Sequence, residues 1–428
     1  MIPKVVIIGG GFGGVYTARR LASYADKGLI DVTIISRSDS FLFTPLLHEV
    51  ATGSLSPTSV AEPLREMFRG KKVNIIEAEV TSIDVTKKIV KLSGSASGCE
   101  IPFDYVVYAG GAGTNYYGVA GAAEHGLSMK NIEDAVAIRS RIIDSFEAAL
   151  VARKNKDTMV YSAEQLSFVV VGGGATGVEL AAELAEFVYD TLLPYYASSG
   201  IKRSDVSVSL LAASPDLLSA FHPKLRALAL RTLVRKGVKV SCGVTVTKVT
   251  EDGVTLADGT QVNSSHVIWV AGVRANPTAL EDFILTPHPS GRIVTDRMLR
   301  VMSVRSKSDL SKNSTLPNVF AIGDASGEYP MLTQVATQQA YVVADNIIAS
   351  IRNKPLREFS YTSKGSLLSL GQGNAVGSIF GIRISGFIAW FIWRSVYLFK
   401  FITWRKRFKV ASEWTINLFY PRDVTRVR

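Results

Sequence analysis

Cysteine is scarce in this chain: its 428 residues include only Cys99 and Cys242. The pair matches no metal-ligand spacing and no C-x-x-C, which excludes a sequence-encoded zinc site, a vicinal dithiol and a disulfide scaffold. Cys99 lies in a polar, Gly/Ser-rich turn and Cys242 follows a strand at Val238–Ser241. Both are expected to be structural, in a reducing compartment. Histidine is sparse too. His48, His125, His222, His266 and His288 stand at no ligand spacing and are expected in loops or strands, with no metal site; His48, inside an apolar loop, is the one to watch. Long apolar runs are missing: no stretch holds 18 uncharged apolar residues, so no spanning helix is expected. Pro3 leads straight into the first strand, and no signal peptide or transit sequence is expected before it.

Acidic residues are few at one end. The formal charge is +11, and from Arg383 to Arg428 ten Lys/Arg face only Glu413 and Asp423, with four of the five tryptophans. A nucleic-acid enzyme would carry basic residues around its cleft, whereas a basic, aromatic tail suits an anionic membrane surface. Gly386–Trp393 is apolar, followed by Arg394, Lys400 and Arg405-Lys406-Arg407. Rings are expected at the headgroup layer, with Arg and Lys snorkelling. The charges do not share one helical face, so two helices with a break fit better than a single amphipathic helix. A dimerisation segment is the competing use of this stretch.

Glycine, by contrast, is patterned. Val5–Ile8 runs into Gly9-Gly10-Gly11-Phe12-Gly13-Gly14, and Phe168–Val171 runs into Gly172-Gly173-Gly174-Ala175-Thr176-Gly177. Each is a buried-type strand, a G-x-G-x-x-G loop and a helical stretch. Gly9 and Gly172 allow the tight turn, Gly11 and Gly174 let backbone approach a pyrophosphate, and Gly14 and Gly177 let the helix pack on the strand. Two such loops imply two dinucleotides, and the usual reason to hold two is electron transfer between nicotinamide and flavin.

The first unit reads as strand Val5–Ile8, helix Gly13–Tyr24 and strand Val32–Ile35. Its second strand ends Ile35-Ser36-Arg37, where an acid commonly holds the adenosine ribose. The Ser36 hydroxyl can still bond a ribose. Arg37 can stack on adenine or meet phosphate, or be a solvated loop charge. Phe41–Leu47 and Val50–Leu55 read as an apolar loop, then a short helix from near Ser59; strands are expected at Val73–Ile76, Glu79–Ile83, Lys88–Leu92 and Tyr105–Tyr108, and a helix over Ile132–Leu150. The second loop's helix carries Glu179 and Glu183, and Tyr189–Arg203 reads as an insertion. The second strand here ends Leu211-Ala212-Ala213-Ser214, again without the acid that grips a 2′-hydroxyl, so relaxed preference, NADPH as well as NADH, is expected, although no Arg obviously awaits a 2′-phosphate. Val267–Val270 with Ala271-Gly272 echoes Tyr105–Gly110, and Arg305–Leu316 reads as a polar loop.

Asn318–Ile322 reads as an apolar strand ending in Gly323-Asp324, whose acid can bond ribitol hydroxyls, with a helix following. With F-T-P-L-L at 43–47, V-A-T-G-S-L-S-P at 50–57, G-G-G-A-T-G-V-E-L at 172–180, F-A-I-G-D-A at 320–325, Q-V-A-T-Q-Q-A at 334–340 and S-G-F-I-A-W at 385–390, the chain resembles the type II NADH dehydrogenases over nearly its whole length. The resemblance implies an α/β fold with two Rossmann-like dinucleotide-binding domains and C-terminal membrane-associating helices: FAD domain 1–115 and 280–355, NAD(P)H domain 116–279, docking region 356–428. It implies that NADH reduces FAD and that two electrons pass to menaquinone or ubiquinone without proton pumping. It makes Glu179, Gln334, Gln338 and Lys364 candidate residues of the nicotinamide and quinone site. Candidate cofactor contacts, beyond the loop residues with Phe12, Ser36 and Arg37, are Pro45, Val80, Ala109, Gly110, Gly323, Asp324, Val335, Ala212 and Gly272. It implies a homodimer peripheral to the cytoplasmic face of a membrane. Taken alone, a Gln pair on a helix is usually surface, a Lys usually solvated, and Glu179 a carboxylate in a first helical turn where the dipole favours it. A sulfide:quinone oxidoreductase is a rival, disfavoured because it needs redox cysteines near the flavin. An NAD(P)H-sensing flavoprotein acting through dimer or partner contacts is a rival of another kind.

Overall fold

The computed structural model describes residues 1–96, 98–154, 166–264, 266–276, 280–281, 284–285, 290–304 and 313–426. Of the expectations above, His288 and most of the 305–316 loop lie outside them. The chain folds into two compact units. The first is Met1–Leu42, Ala61–Gly113 and Arg274–Ser363; the second is Phe43–Val60, Thr114–Val273 and Lys364–Arg428.

The first unit is built on a seven-stranded sheet in the order Ile284–Leu285, Arg300–Val304, Asn313–Ala321, Tyr105–Tyr108, Lys4–Ile8, Asp31–Ser36, Val73–Glu77. The last five are parallel. Val5, Val6, Ile7 and Ile8 are all buried, as an apolar run must be when a parallel strand is covered on both faces. The helix Phe12–Asp26 buries Val15, Ala18, Leu21, Ala22 and Ala25, a three-and-four spacing that makes one apolar stripe. Gly28, at φ +70°, closes its end by donating to Ala25 O at 2.8 Å.

The second unit repeats the plan with four parallel strands in the order Val238–Cys242, Ser207–Ala212, Ser167–Val171, His266–Trp269. The echo expected between Tyr105–Gly110 and Val267–Gly272 is there as topology, since both strands lie parallel beside the strand that feeds a glycine loop. A three-stranded antiparallel sheet, Gly365–Ser369, Ala375–Ile379 and Ile382–Ser385, precedes two C-terminal helices, Gly386–Lys400 and Trp404–Ile416. The break between them falls at residues 401–403.

Some expectations need correction. The Phe41–Leu47 loop is largely ordered, with strand Ser40–Leu42, a 3₁₀ turn at Thr44–Leu46 and helix Leu47–Ala51; the short helix expected from near Ser59 is a 3₁₀ turn at Pro57–Ser59, with the next α-helix at Leu64–Met67. Tyr189–Arg203 opens as more helix, because Ala175–Glu186 runs on through a π-helical stretch, Phe187–Leu192, into Leu193–Tyr195. In agreement with the sequence pattern at Thr333–Ala340, the long helix starts at Thr333, after a single 3₁₀ turn at Gly323–Ala325. The tail tryptophans are not a surface belt. Trp390, Trp393 and Trp414 are buried and only Trp404 is exposed, because the indoles pack within the unit: Trp393 lies 6.0 Å from Trp414 and 6.2 Å from the His48 ring. Arg394 does not snorkel; its guanidinium sits 4.0 Å over Trp390 and 4.9 Å over Trp414. The tail's exposed apolar surface includes Phe380, Ile382, Phe387, Ile388, Phe391, Phe399, Trp404 and Phe408.

Candidate active site

In the first unit the glycine loop obeys its sequence logic atom by atom. Gly9 turns at φ +111°. A Cβ on Gly14 would sit 1.8 Å from Gly9 O, so helix and turn meet only because that position is bare. Above Gly11 nothing lies within 4 Å. Gly11 is the N-cap of Phe12–Asp26 and offers no side-chain cap, so the helix's first N–H groups face that open space. This is a cradle shaped for a diphosphate.

The second unit repeats the arrangement. Gly172 turns at φ +132°, a Cβ on Gly177 would again sit 1.8 Å from the carbonyl oxygen of the first glycine, and the space over Gly174 is open. Gly174 caps Ala175–Glu186, again without a side chain. Each unit thus presents a helix N-terminus, with open space above its middle glycine, to one dinucleotide.

Around the first cradle, Ser36 is buried; its Oγ accepts the Ser38 N–H at 3.3 Å, which leaves its own proton to donate. Arg37 is exposed and 4.0 Å from Glu79. Val80 lies at a register shift in strand Glu79–Asp84 and packs on the core. The Ala109 methyl would touch a Cβ on Gly13 at 3.3 Å, and Gly110 O accepts Asn276 Nδ2 at 2.6 Å. Asn276, which also donates its N–H to Gly111 O, carried no sequence signal. Gly323, at φ +67°, donates its N–H to Gln339 Oε1 at 2.7 Å. Gln339 is fully buried, and its Nε2 has no acceptor among the described residues, an orphan donor next to the Gly323-Asp324 turn. Asp324 is half-buried in that turn; Val335 is buried in the first turn of Thr333–Ile351. These features fit a flavin dinucleotide. Gln334 and Gln338 share a helix face, as their spacing requires. Gln338 clamps the backbone of Thr362, donating at 2.9 Å and accepting at 3.2 Å.

Around the second cradle, Ala212 ends its strand fully buried, against the Cα side of Gly173. No acid follows directly; Asp216 pairs outward with Arg226 at 2.9 Å. The Tyr117 hydroxyl would lie 2.2 Å from a Cβ on Gly272, so that glycine is bare to admit the ring. Pro45 is half-buried, and its carbonyl bonds the His48 ring. Lys364 is exposed, and its charge lies close enough to Lys400 to lower that amine's pKa, after burial as the larger cause.

Glu179 is not in the first turn of its helix, as the dipole argument supposed, but in the second, and it is buried. Its Oε1 accepts the Ser369 N–H at 3.1 Å. Burial above all, then repulsion from Glu49 and Glu183, pushes its pKa up to about 8 against the pull of that N–H. A carboxylic acid therefore stands neutral at pH 7 inside the second unit.

Glu179 is not alone. Every residue from Gly177 to Glu186 is buried, so Glu183 and Glu186 must find partners inside. Arg422 supplies both, at 2.7 Å from Glu183 Oε2 and in a short contact with Glu186, which also meets Lys236. The spacing of Glu179, Glu183 and Glu186 in an otherwise Ala/Leu helix was a legible sign of a buried acidic face; Arg422, far away in sequence, was not. Cys99 is exposed and Cys242 half-buried, both are free, and they belong to different units.

Comparison with known proteins agrees. The pyridine nucleotide-disulphide oxidoreductase family model matches residues 3–340, and that of the NDH2 C-terminal domain matches 363–423. The chain is 34% identical over 429 residues to the type II NADH:quinone oxidoreductase Ndh of Mycobacterium tuberculosis, covering 98% of this chain and 89% of that one. It is 32% identical to the demethylphylloquinone reductase NdbB of Synechocystis, covering 96% and 95%. The solved structure of NDH2 from Plasmodium falciparum in complex with NADH aligns with a TM-score of 0.86 at 21% identity over 99% of this chain and 100% of that one. The sulfide:quinone oxidoreductase of Aquifex aeolicus, at 0.70 and 20% identity over 100% and 96%, shares the fold. From the paired glycine cradles to the C-terminal helices, this chain belongs to the type II NADH:quinone oxidoreductase family.

Proposed function

We propose that this chain oxidises NADH and reduces a membrane quinone, with FAD on the first cradle and the nicotinamide nucleotide on the second. The observation that carries this is the duplicated loop: two helix N-termini without side-chain caps, each with open space above its middle glycine. FAD, when bound, supplies acceptance of a hydride and onward donation of two electrons. The chain's own work is to hold, orient and protonate. The N–H groups at Gly11 and Gly174 meet diphosphate. Asp324 bonds ribitol hydroxyls, and the Gln334–Gln338 face borders the quinone. Glu179 keeps a proton available to a quinone oxygen at neutral pH, and Lys364 adds a polar group near it.

The strand end at Ala212 carries no acid to repel a 2′-phosphate, so NADPH is accepted with NADH. Comparing kcat/KM for the two checks this, and a strong preference for NADH refutes it. The exposed Phe and Ile of the tail, beside Arg383, Arg405 and Lys406, dock the protein on an anionic lipid surface, on the side of the membrane where NADH is held. No described helix is long and apolar enough to cross a membrane, which fits electron transfer without proton pumping by this chain.

The test is spectral. Protein isolated with detergent should be yellow, bleach on anaerobic NADH and regain colour on adding quinone. A colourless protein, or one that NADH does not bleach, sinks the proposal. Firm NADH binding with negligible turnover makes it a sensor instead.

A further inference from the structure

His48 and Glu49 lie on the short helix Leu47–Ala51, and Glu183 lies one turn beyond Glu179 on Ala175–Glu186, all within the second unit. One ligand-type atom from each of His48, Glu49 and Glu183 falls within 4.8 Å of the others, and all three residues are buried. The His48 ring bonds the Pro45 backbone, yet its Nε2 is buried without a hydrogen-bond partner among the described residues. With the other ring nitrogen donating to Pro45, Nε2 is the acceptor of a neutral imidazole. What is missing beside it is a donor, and the ligand-type groups gathered with it are the Glu49 and Glu183 carboxyls. A protonated carboxyl can supply that donor.

Which carboxyl carries the proton follows from the neighbours. Glu183 Oε2 is 2.7 Å from Arg422, with the Ser54 hydroxyl at 3.4 Å, so this carboxyl already has a cation and a donor. Glu49 has one N–H, from Trp414 Nε1 at 2.5 Å. Burial first, then the Glu183 charge, pushes Glu49 up to about 7, against Arg394, Trp414 and Arg422; burial first, then Arg422, holds His48 down at about 3. Glu49, Glu179, Glu183 and Glu186 are four carboxyls against three cations, Arg394, Arg422 and Lys236. A buried excess of negative charge is relieved by binding a proton. A divalent cation fits less well, since Arg422 and Trp414 each already take one oxygen of Glu183 and Glu49 and Arg422 adds positive charge.

We propose that His48, Glu49 and Glu183 form a buried proton-holding site that refills Glu179 during quinone reduction. This rests on the proposed quinone reductase activity. A quinone becomes a quinol by gaining two electrons and two protons. NADH supplies both electrons and one proton as hydride, so one further proton comes from solution in each turnover. Glu179 loses its O–H proton to a quinone oxygen, Glu49 loses its own to Glu179, and the one proton taken from solution in each turnover re-protonates Glu49. His48 Nε2 and the Glu183–Arg422 pair hold that proton on Glu49 between turnovers. Glu49 and Glu183 are positioning residues, acting through Glu179.

Glu49→Gln keeps the shape and the Trp414 bond and removes the titration. In the full-length flavin-loaded protein, anaerobic rapid mixing reads flavin reduction by NADH and its reoxidation by quinone separately. We expect E49Q to slow reoxidation about tenfold more than reduction, to raise the solvent isotope effect of reoxidation, and to lose a pH limb near 7. His48→Gln should act likewise, and Glu49→Asp should recover part of the rate. Reoxidation with wild-type rate and pH profile in both E49Q and H48Q overturns the proposal. So does tight Zn²⁺ binding that H48Q abolishes, which would make this a cation site. If wild-type flavin is not reoxidised by quinone at all, the failure belongs to the proposed function.

Discussion

Gly174→Ala separates fold from function at the second cradle. Gly174 sits at φ −77° and ψ −175°, which alanine adopts without strain. Its added Cβ would meet no protein atom within 4 Å, so the folded chain has room for it. Removing a glycine's freedom from the unfolded chain stabilises by about 0.4–1 kcal/mol. The methyl does enter the space over the helix N-terminus, where the nucleotide diphosphate must come to reach N–H donors. Losing one charge-assisted bond costs about 1.5–3 kcal/mol, which is about 10- to 100-fold in affinity. The expected result is unchanged or higher stability, normal flavin content, normal flavin reoxidation by quinone, and NADH affinity weakened by that factor. Equilibrium titration under anaerobic conditions and a urea melt measure both. Gly177→Ala is the control of opposite character: its Cβ would lie 1.8 Å from Gly172 O, and the unit itself should suffer. If Gly174→Ala binds NADH as well as the wild type does, the open space over Gly174 is not the phosphate site.

Other outcomes follow from the same geometry. Because Glu179 is neutral below about 8 and charged above, quinone reduction should decline as pH rises through that value, and Glu179→Gln should be about 100-fold slower without that decline. A folded pKa above the ordinary carboxylate value also means that the native chain holds the extra proton; Glu179's contribution to stability falls as pH rises from that ordinary range to about 8, and the Gln variant should lose this slope in urea melts. Arg422→Ala leaves Glu183 and Glu186 without their shared cation and should cost about 3–5 kcal/mol in urea unfolding, whereas Arg297→Ala, whose pair with Glu358 is open to water, should leave stability unchanged. Changing Phe387, Phe391 and Phe408 together to Ser should abolish flotation with anionic vesicles: at about 1.5 kcal/mol per ring, the loss is about a thousandfold in partitioning. If a second copy covers that face instead, the wild type stays dimeric and ignores vesicles. Point changes are preferable to deleting the tail, because Trp393 and Trp414 are buried in the unit.

Much of this was legible along the chain because it is local. A glycine's permitted φ, the close pass of Gly14 over Gly9, the apolar runs of parallel strands and the helix start at Thr333 depend on neighbours a few residues away, and pattern reads them. So did the break between the two tail helices, which followed from charges that would not share one face. Residue type alone misjudged the tail tryptophans, since an indole beside Arg suits a lipid interface and a protein interior equally well; only packing against His48 and Trp414 decided between them.

The rest belongs to the tertiary structure. Glu179 was visible as a residue but not as an acid held neutral at pH 7, because that property is made by its burial and by Glu49, 130 positions earlier in the chain. The cation that steadies Glu183 and Glu186 arrives from Arg422, and the N–H that meets Glu49 arrives from Trp414. Sequence by itself determined the two glycine cradles, since their shape is backbone chemistry written in glycines. Folding alone determined how far the Glu49 and Glu179 carboxyls are pushed from their ordinary range, since a pKa is set by the water removed from a group and by the charges brought to it, and neither is a property of neighbours in the chain.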